Sequence, residues 1–211
     1  MMFDIRDLQY GRSEIAFLSK ETPPRFHSWM TTLDPQAHVE QLHLIRKNSY
    51  RPRFGVKDSF ACLDLIDDGF VENFAATWIY ADHVQAADTR GWIRIASVSE
   101  LSLWEAAWKQ GGSPSDQLQF PHAILDRSEV AIWGRRVSDG FDAGVIANVS
   151  QDCVGLSNCF GQSAYPAAAS LCAELPDAQL PIVGYERGDD LIDAFDIGFL
   201  ATGELRVWGR S

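Results

Sequence analysis

The sequence predicts an α+β fold, a mostly antiparallel sheet flanked by helices. From Trp92 onward the elements read strand, helix, three hairpin-linked strands, helix, strand, helix, strand. That order mixes hairpins with strand–helix–strand units, unlike the strict alternation of a doubly wound parallel sheet. A second observation is a stretch that occurs twice. Arg53–Phe70 (RFGVKDSFACLDLIDDGF) aligns without a gap on Ile182–Phe199 (IVGYERGDDLIDAFDIGF), with Gly55/Gly184, Asp64/Asp193, Asp67/Asp196, Gly69/Gly198 and Phe70/Phe199 identical. The third is composition: 211 residues, 46% apolar and 22% charged, fit a globular chain with a sizeable core.

Each element follows from local chemistry. Residues 1–52 carry little periodicity, and Glu21-Thr22-Pro23-Pro24 is a break. Asp34-Pro35 predicts a helix start, with Asp as cap and Pro in the first turn, and Val39, Leu42 and His43 give helical spacing over 36–47. In the first repeat copy, Phe54–Val56 reads as a strand. Asp58 or Ser59 then caps a helix with Cys62, Leu65 and Ile66 on its buried stripe, and Gly69 stops it. Ala75–Ala81 is the next strand. The polar segment 82–90 predicts a boundary, giving domains 1–89 and 90–211.

Trp92–Ala96 alternates as a strand does. Ser97-Val98-Ser99-Glu100 is a capping box that starts a helix carrying Leu101, Trp104 and Trp108 on one face. Val130–Arg135, Ala143–Asn148 and Val154–Phe160 are strands, the first two joined by the turn signal Ser138-Asp139-Gly140. An alanine-rich helix over 165–175, the strand Pro181–Tyr185 and the second repeat copy complete the chain. Asp58, Asp64, Asp67, Asp68, Asp189, Asp190, Asp193 and Asp196 read as first-turn and solvent faces of the two repeat helices.

The net charge of −11 argues against nucleic acid and against an anionic membrane surface. No basic n-region precedes an apolar run at the N-terminus, and no apolar run reaches spanning length. The four cysteines lack CxxC spacing, so reduced thiols and a cytoplasmic location are expected. His38 and His43 lie five apart rather than four, which does not aim both at one ion, and no metal site is predicted.

The order from Trp92 to Trp208 resembles the GNAT acetyltransferase superfamily. The residues that carry it are WIRIASVSELSLWEAAW, the hairpins VAIWGRR, DAGVIANVS and CVGLSNCF, and the closing IVGYE, DLIDAFDIGF and LRVW. Arg53–Tyr80 then resembles a partial copy of that fold's C-terminal half. The resemblance implies acetyl-CoA, or another acyl-CoA, in the cleft between Val154–Phe160 and Pro181–Tyr185. Leu156, Ser157 and Asn158 would line the pantetheine arm. Gln162, Ser163, Ala164 and Ala167 fall at the pyrophosphate loop, where helix N-terminal amides meet phosphate. Tyr165 stands where that motif has its first glycine, so its side chain is expected to obstruct the approach, and Pro166 removes an amide. No basic residue lies between Ser138 and Pro181 to help hold the cofactor.

The position that often supplies the family's tyrosine acid is Ala194, and Leu65 in the first copy. That leaves Tyr185 as the candidate acid and Glu186 as a base acting through water. The implied function is acyl-CoA-dependent N-acyl transfer to a small-molecule amine. A non-catalytic ligand-binding or protein-interaction module on the same scaffold is the alternative. A homodimer whose half-domain caps the partner's cleft is a further arrangement.

Overall fold

The computed structural model describes residues 2–175 and 180–210. In chain order the elements are α1 (Met2–Ile5), β1 (Tyr10–Arg12), β2 (Ala16–Ser19), β3 (Met30–Thr32), α2 (His38–Asn48), β4 (Val56–Asp58), β5 (Val71–Ala81), β6 (Trp92–Arg94), α3 (Val98–Gln110), the 3-10 turn His122–Asp126, β7 (Val130–Val137), β8 (Gly140–Val149), β9 (Val154–Phe160), α4 (Tyr165–Ala173), β10 (Ile182–Glu186), α5 (Asp189–Asp196) and β11 (Leu200–Gly209). The chain divides into two compact units. One holds the residues up to Thr77 and those from Gly203, and the other spans Trp78–Thr202. The long strands β5 and β11 each contribute to both.

In the first unit the strand order is β1-β2-β3-β4-β11-β5. β3 and β4 run parallel, and the β1–β2, β2–β3 and β4–β11 pairs are antiparallel. Met30, Ile45, Phe54, Val56, Leu63, Leu65, Phe70 and Trp208 form the core. The helix expected at Asp34 starts later. Asp34 accepts the amide of Gln36 at 2.8 Å in a local turn, and α2 begins at His38 with no side-chain cap.

The helix expected after Asp58 does not form: residues 59–60 and 66–69 are turns and 61–65 are irregular. Asp58 is the reason. It is fully buried rather than solvent-facing, and its carboxylate accepts the amides of Leu63 at 2.8 Å and Phe60 at 3.4 Å. Those bonds organise a loop in place of an i→i−4 ladder. The Gly-Phe stop itself has the same bonding in both repeat copies. Phe70 N donates to Leu65 O at 3.1 Å and Phe199 N to Ala194 O at 3.0 Å. Gly69 and Gly198 both hold positive φ, 81° and 109°, as this reversal requires. Asp58→Ala would leave two amides without their acceptor. A loss of about 2 kcal/mol is expected in urea unfolding, and a change below about 0.5 kcal/mol would refute this role.

In the second unit the order is β5-β10-β9-β8-β7-β6, with β9 and β10 parallel and β6 to β9 antiparallel. The predicted capping box is present, Ser97 Oγ accepting the Glu100 amide at 3.3 Å. Leu101, Trp104 and Trp108 are buried, and Trp104 Nε1 donates to Trp133 O at 2.8 Å, tying α3 to β7. The core gathers Ile79, Val145, Leu156, Tyr165, Ala168, Ala194 and Phe199 between strands and helices.

Candidate functional site

The candidate site lies within the second unit, where β9 and β10 part. These strands pair only at Ile182/Val154 and Val183/Gly155. Beyond that point β9 bulges. Pairing with β8 passes from Ile146/Ser157 to Gly144/Phe160, so Asn158 and Cys159 together face one β8 residue. Asn158 takes φ 54° there. β10 continues to Tyr185 and Glu186, and Gly188, at φ 60°, turns the chain into α5.

The residues predicted on β9 divide. Leu156 is buried and can offer a ligand only its backbone. Ser157 Oγ lies 3.4 Å from Ile146 O, and Asn158 Nδ2 donates to Ser157 Oγ at 3.1 Å. Burial pushes the Cys159 thiol well up, with Glu186 and Asp190 adding to it, so the thiol stays protonated and is no nucleophile.

The loop Gly161–Ala164 leads into α4. Gly161 holds φ 106°, and a Cβ there would stand 2.5 Å from both Ala143 Cβ and Asp142 O. Ser163 takes φ 51° and Ala164 follows at φ −85°, a reversal closed by the Ala164 amide donating to Gly161 O at 3.3 Å. Gln162 and Ser163 are exposed, whereas Ala164 and Ala167 are buried and contribute backbone alone. In the first turn of α4 the amides of Tyr165 and Ala167 have no partner within the helix, and Pro166 has none to give.

The loop also has a basic neighbour that sequence reading missed. Arg135, on β7, lies with Nη2 3.4 Å from Gln162 O and Nε 2.7 Å from Asp142. Twenty-seven residues separate Arg135 from Gln162, so no local spacing could reveal the contact.

Tyr165 corrects an expectation. Its side chain does not stand over the loop. It is 1% exposed and turns inward, its ring edge-on to Phe199 at 6.2 Å. Its hydroxyl has no hydrogen-bond partner among the described residues. It still lies near enough to the Glu186 carboxylate to favour that group's ionised form. Burial, with Asp190 second, outweighs this and raises Glu186 to about 7. Tyr185 stands beside it, 38% exposed and edge-on to Trp78 at 5.4 Å. The partial burial and Glu186 still push its phenol upward. The structure therefore brings Glu186 together with Tyr165 and the acidic end of α5.

No family profile matches the sequence, and no curated protein matches it either. Solved structures do match over almost the whole chain. A GCN5-related N-acetyltransferase from Kribbella flavida superposes with TM-score 0.65 at 11% identity, over 98% of this chain and 90% of its own. A putative acetyltransferase of the GNAT family from Novosphingobium aromaticivorans gives 0.57 at 12% identity, covering 99% and 93%. A GCN5-related N-acetyltransferase from Sphaerobacter thermophilus gives 0.57 at 8%, covering 98% and 84%.

The chain has the GNAT fold.

At these identities the likeness is one of architecture. The parting of β9 and β10 lies at the position where the sequence resemblance places a cleft. Ala194, at the position read as the fold's usual acid, is fully buried and carries no titratable group. Among the described residues no helix is long and apolar enough to cross a membrane, and no group of three His, Cys, Asp or Glu side chains could hold a metal.

Proposed function

We propose that the protein transfers an acyl group from an acyl-CoA, acetyl-CoA in the simplest case, to an amine. The observation that carries this reading is Glu186, a carboxylate raised to about 7 by burial at the end of β10, beside the opening between β9 and β10. A base poised near neutral pH matches the removal of a proton from an attacking amine.

The residues of the loop fit a pyrophosphate. Gln162 and Ser163 are exposed beside the first turn of α4, whose amides of Tyr165 and Ala167 are free of intrahelical bonds, and Arg135, ion-paired with Asp142 at 2.7 Å, brings its guanidinium to the Gln162 carbonyl. Gly161 and Ser163 supply the left-handed backbone that lets the loop curl. Leu156, Ser157 and Asn158 line the β9 side, where backbone groups would hold the pantetheine arm. When bound, an acyl-CoA supplies the activated thioester. The chain's own part is to seat it, keep Glu186 ready for the amine proton, and offer Tyr185 as the proton donor to the departing sulfur.

Isothermal titration with acetyl-CoA tests the reading. Micromolar to submillimolar binding is expected, weakened about fivefold in Arg135→Ala by loss of one charge near the phosphates. Absence of binding at millimolar ligand would remove the reading.

Ala194 and Pro166 support a second reading, a non-catalytic module that binds acyl-CoA. The usual acid position is inert, and the anion cradle lacks one amide. Tight binding with no product from a panel of amines would select it.

A further inference from the structure

A cavity opens in the second unit away from the parting of β9 and β10. It measures about 200 Å³ and lies between the end of β6, the start of β7 and the 3-10 turn His122–Asp126. Ile95, Ile124, Val130 and Ile132 are buried along it, and Leu125 is half-buried. Among the described residues Arg94 is the one charged group that lines it. β7 runs from the cavity at Val130 to Arg135 at the Gln162 loop, roughly 17 Å along a strand.

The Arg94 guanidinium is held in place but not neutralised. Its Nη2 donates to Val130 O at 2.7 Å, and its Cζ stands 5.1 Å over the Trp133 ring. Partial burial lowers its proton affinity, and no carboxylate acts against that. Glu129, next to Val130 in the chain, is taken by Arg127 at 2.6 Å. A guanidinium carries five N–H donors in a planar fork, so most remain after Val130 O is served, and the fork matches the two oxygens of a carboxylate.

The rest of the cavity sets the body of the ligand. Four buried aliphatic side chains offer it no hydrogen bond. An apolar cavity of about 150 Å³ takes benzene, so this one suits a ring with one small substituent. A lone guanidinium in a chain of net charge −11 suits one negative charge better than the two of a phosphate.

We propose that this cavity binds a small monocarboxylate with an apolar body, such as an aromatic acid. The carboxylate pairs with Arg94, and the body lies against Ile95, Ile124, Val130 and Ile132. The site does not rest on the acyl-transfer reading and stands or falls apart from it.

Titration of the full chain with benzoate at pH 7, followed by amide NMR, tests the site. Saturable shifts at Ile95, Ile124 and Ile132 are expected, with a Kd of about millimolar for so small a ligand. Arg94→Gln should weaken binding about tenfold. Arg94→Lys, which keeps the charge but not the fork, should weaken it about threefold. Arg94 is exposed on a short edge strand, so both variants are expected to fold. Benzyl alcohol has the ring without the charge, and acetate the charge without the ring. Each should bind about tenfold more weakly than benzoate or worse. The absence of saturable shifts at these residues overturns the proposal. So does equal affinity in Arg94→Gln, or benzyl alcohol binding as tightly as benzoate. Shifts confined to the ends of β9 and β10 would put benzoate in the other site and overturn it as well.

Discussion

Glu186→Gln is expected to stabilise the protein at alkaline pH. The folded state holds the Glu186 proton more tightly than the unfolded chain does, because burial raises it to about 7 from 4.5. Below pH 4.5 the group is protonated in both states and costs nothing. Between there and pH 7 the unfolded chain releases its proton first, and stability falls. Above pH 7 the full penalty is present, on the order of 2–3 kcal/mol after allowance for partial exposure. Gln cannot ionise, so the variant escapes the penalty. Urea unfolding at pH 5 and pH 8 measures it: the variant should gain little at pH 5 and about 2 kcal/mol more at pH 8. A gain independent of pH would show that Glu186 does not titrate in this range. In the acyl-transfer reading the same change lowers kcat about 100-fold or more, and the parent kcat/KM rises with pH through about 7.

Gly161→Ala carries the other large effect. At φ 106° an L side chain is strained, and the added Cβ would lie 2.5 Å from Ala143 Cβ and from Asp142 O. Neither neighbour is the end of a flexible side chain, so β8 or the loop must shift. The combined cost is about 3 kcal/mol. A fall in Tm of about 6–10 °C is expected, read by near-UV circular dichroism. Acetyl-CoA binding should weaken as well, because the loop carries Gln162 and Ser163. An unchanged Tm would mean that Gly161 is not held as the structure shows.

The elements legible in the sequence are those whose signals are short. The Ser97–Glu100 capping box spans four residues and forms as read. The β7–β8 hairpin follows its Ser138-Asp139-Gly140 turn, and β9 runs over Val154–Phe160 as alternation predicts. The two Gly-Phe stops close with the same bonds because each needs only a glycine with positive φ and a carbonyl five residues back. β1, β2 and β3 are three or four residues each, too short for a period to show. The loop after Asp58 defeats the helix reading because a capping aspartate and a loop-organising one look alike until burial is known.

The candidate site divides along the same line. Glu186, Tyr185 and the loop residues Gln162, Ser163, Ala164 and Ala167 enter as candidates through the resemblance to the GNAT superfamily. The inward turn of Tyr165, its meeting with Glu186 across 21 positions of sequence, and the reach of Arg135 to Gln162 do not. The first two depend on where α4 packs against β9, β10 and α5, and the third on β7 passing beside the loop before α4. The sequence by itself determined the order of elements from Trp92 onward and the acidic composition that follows β10, since caps, turns and periodicity act within a few residues. The tertiary structure alone decided which groups share a dry neighbourhood. Burial sets the proton affinity of Glu186 and turns the Tyr165 ring inward, and burial is a property of packing, not of spacing.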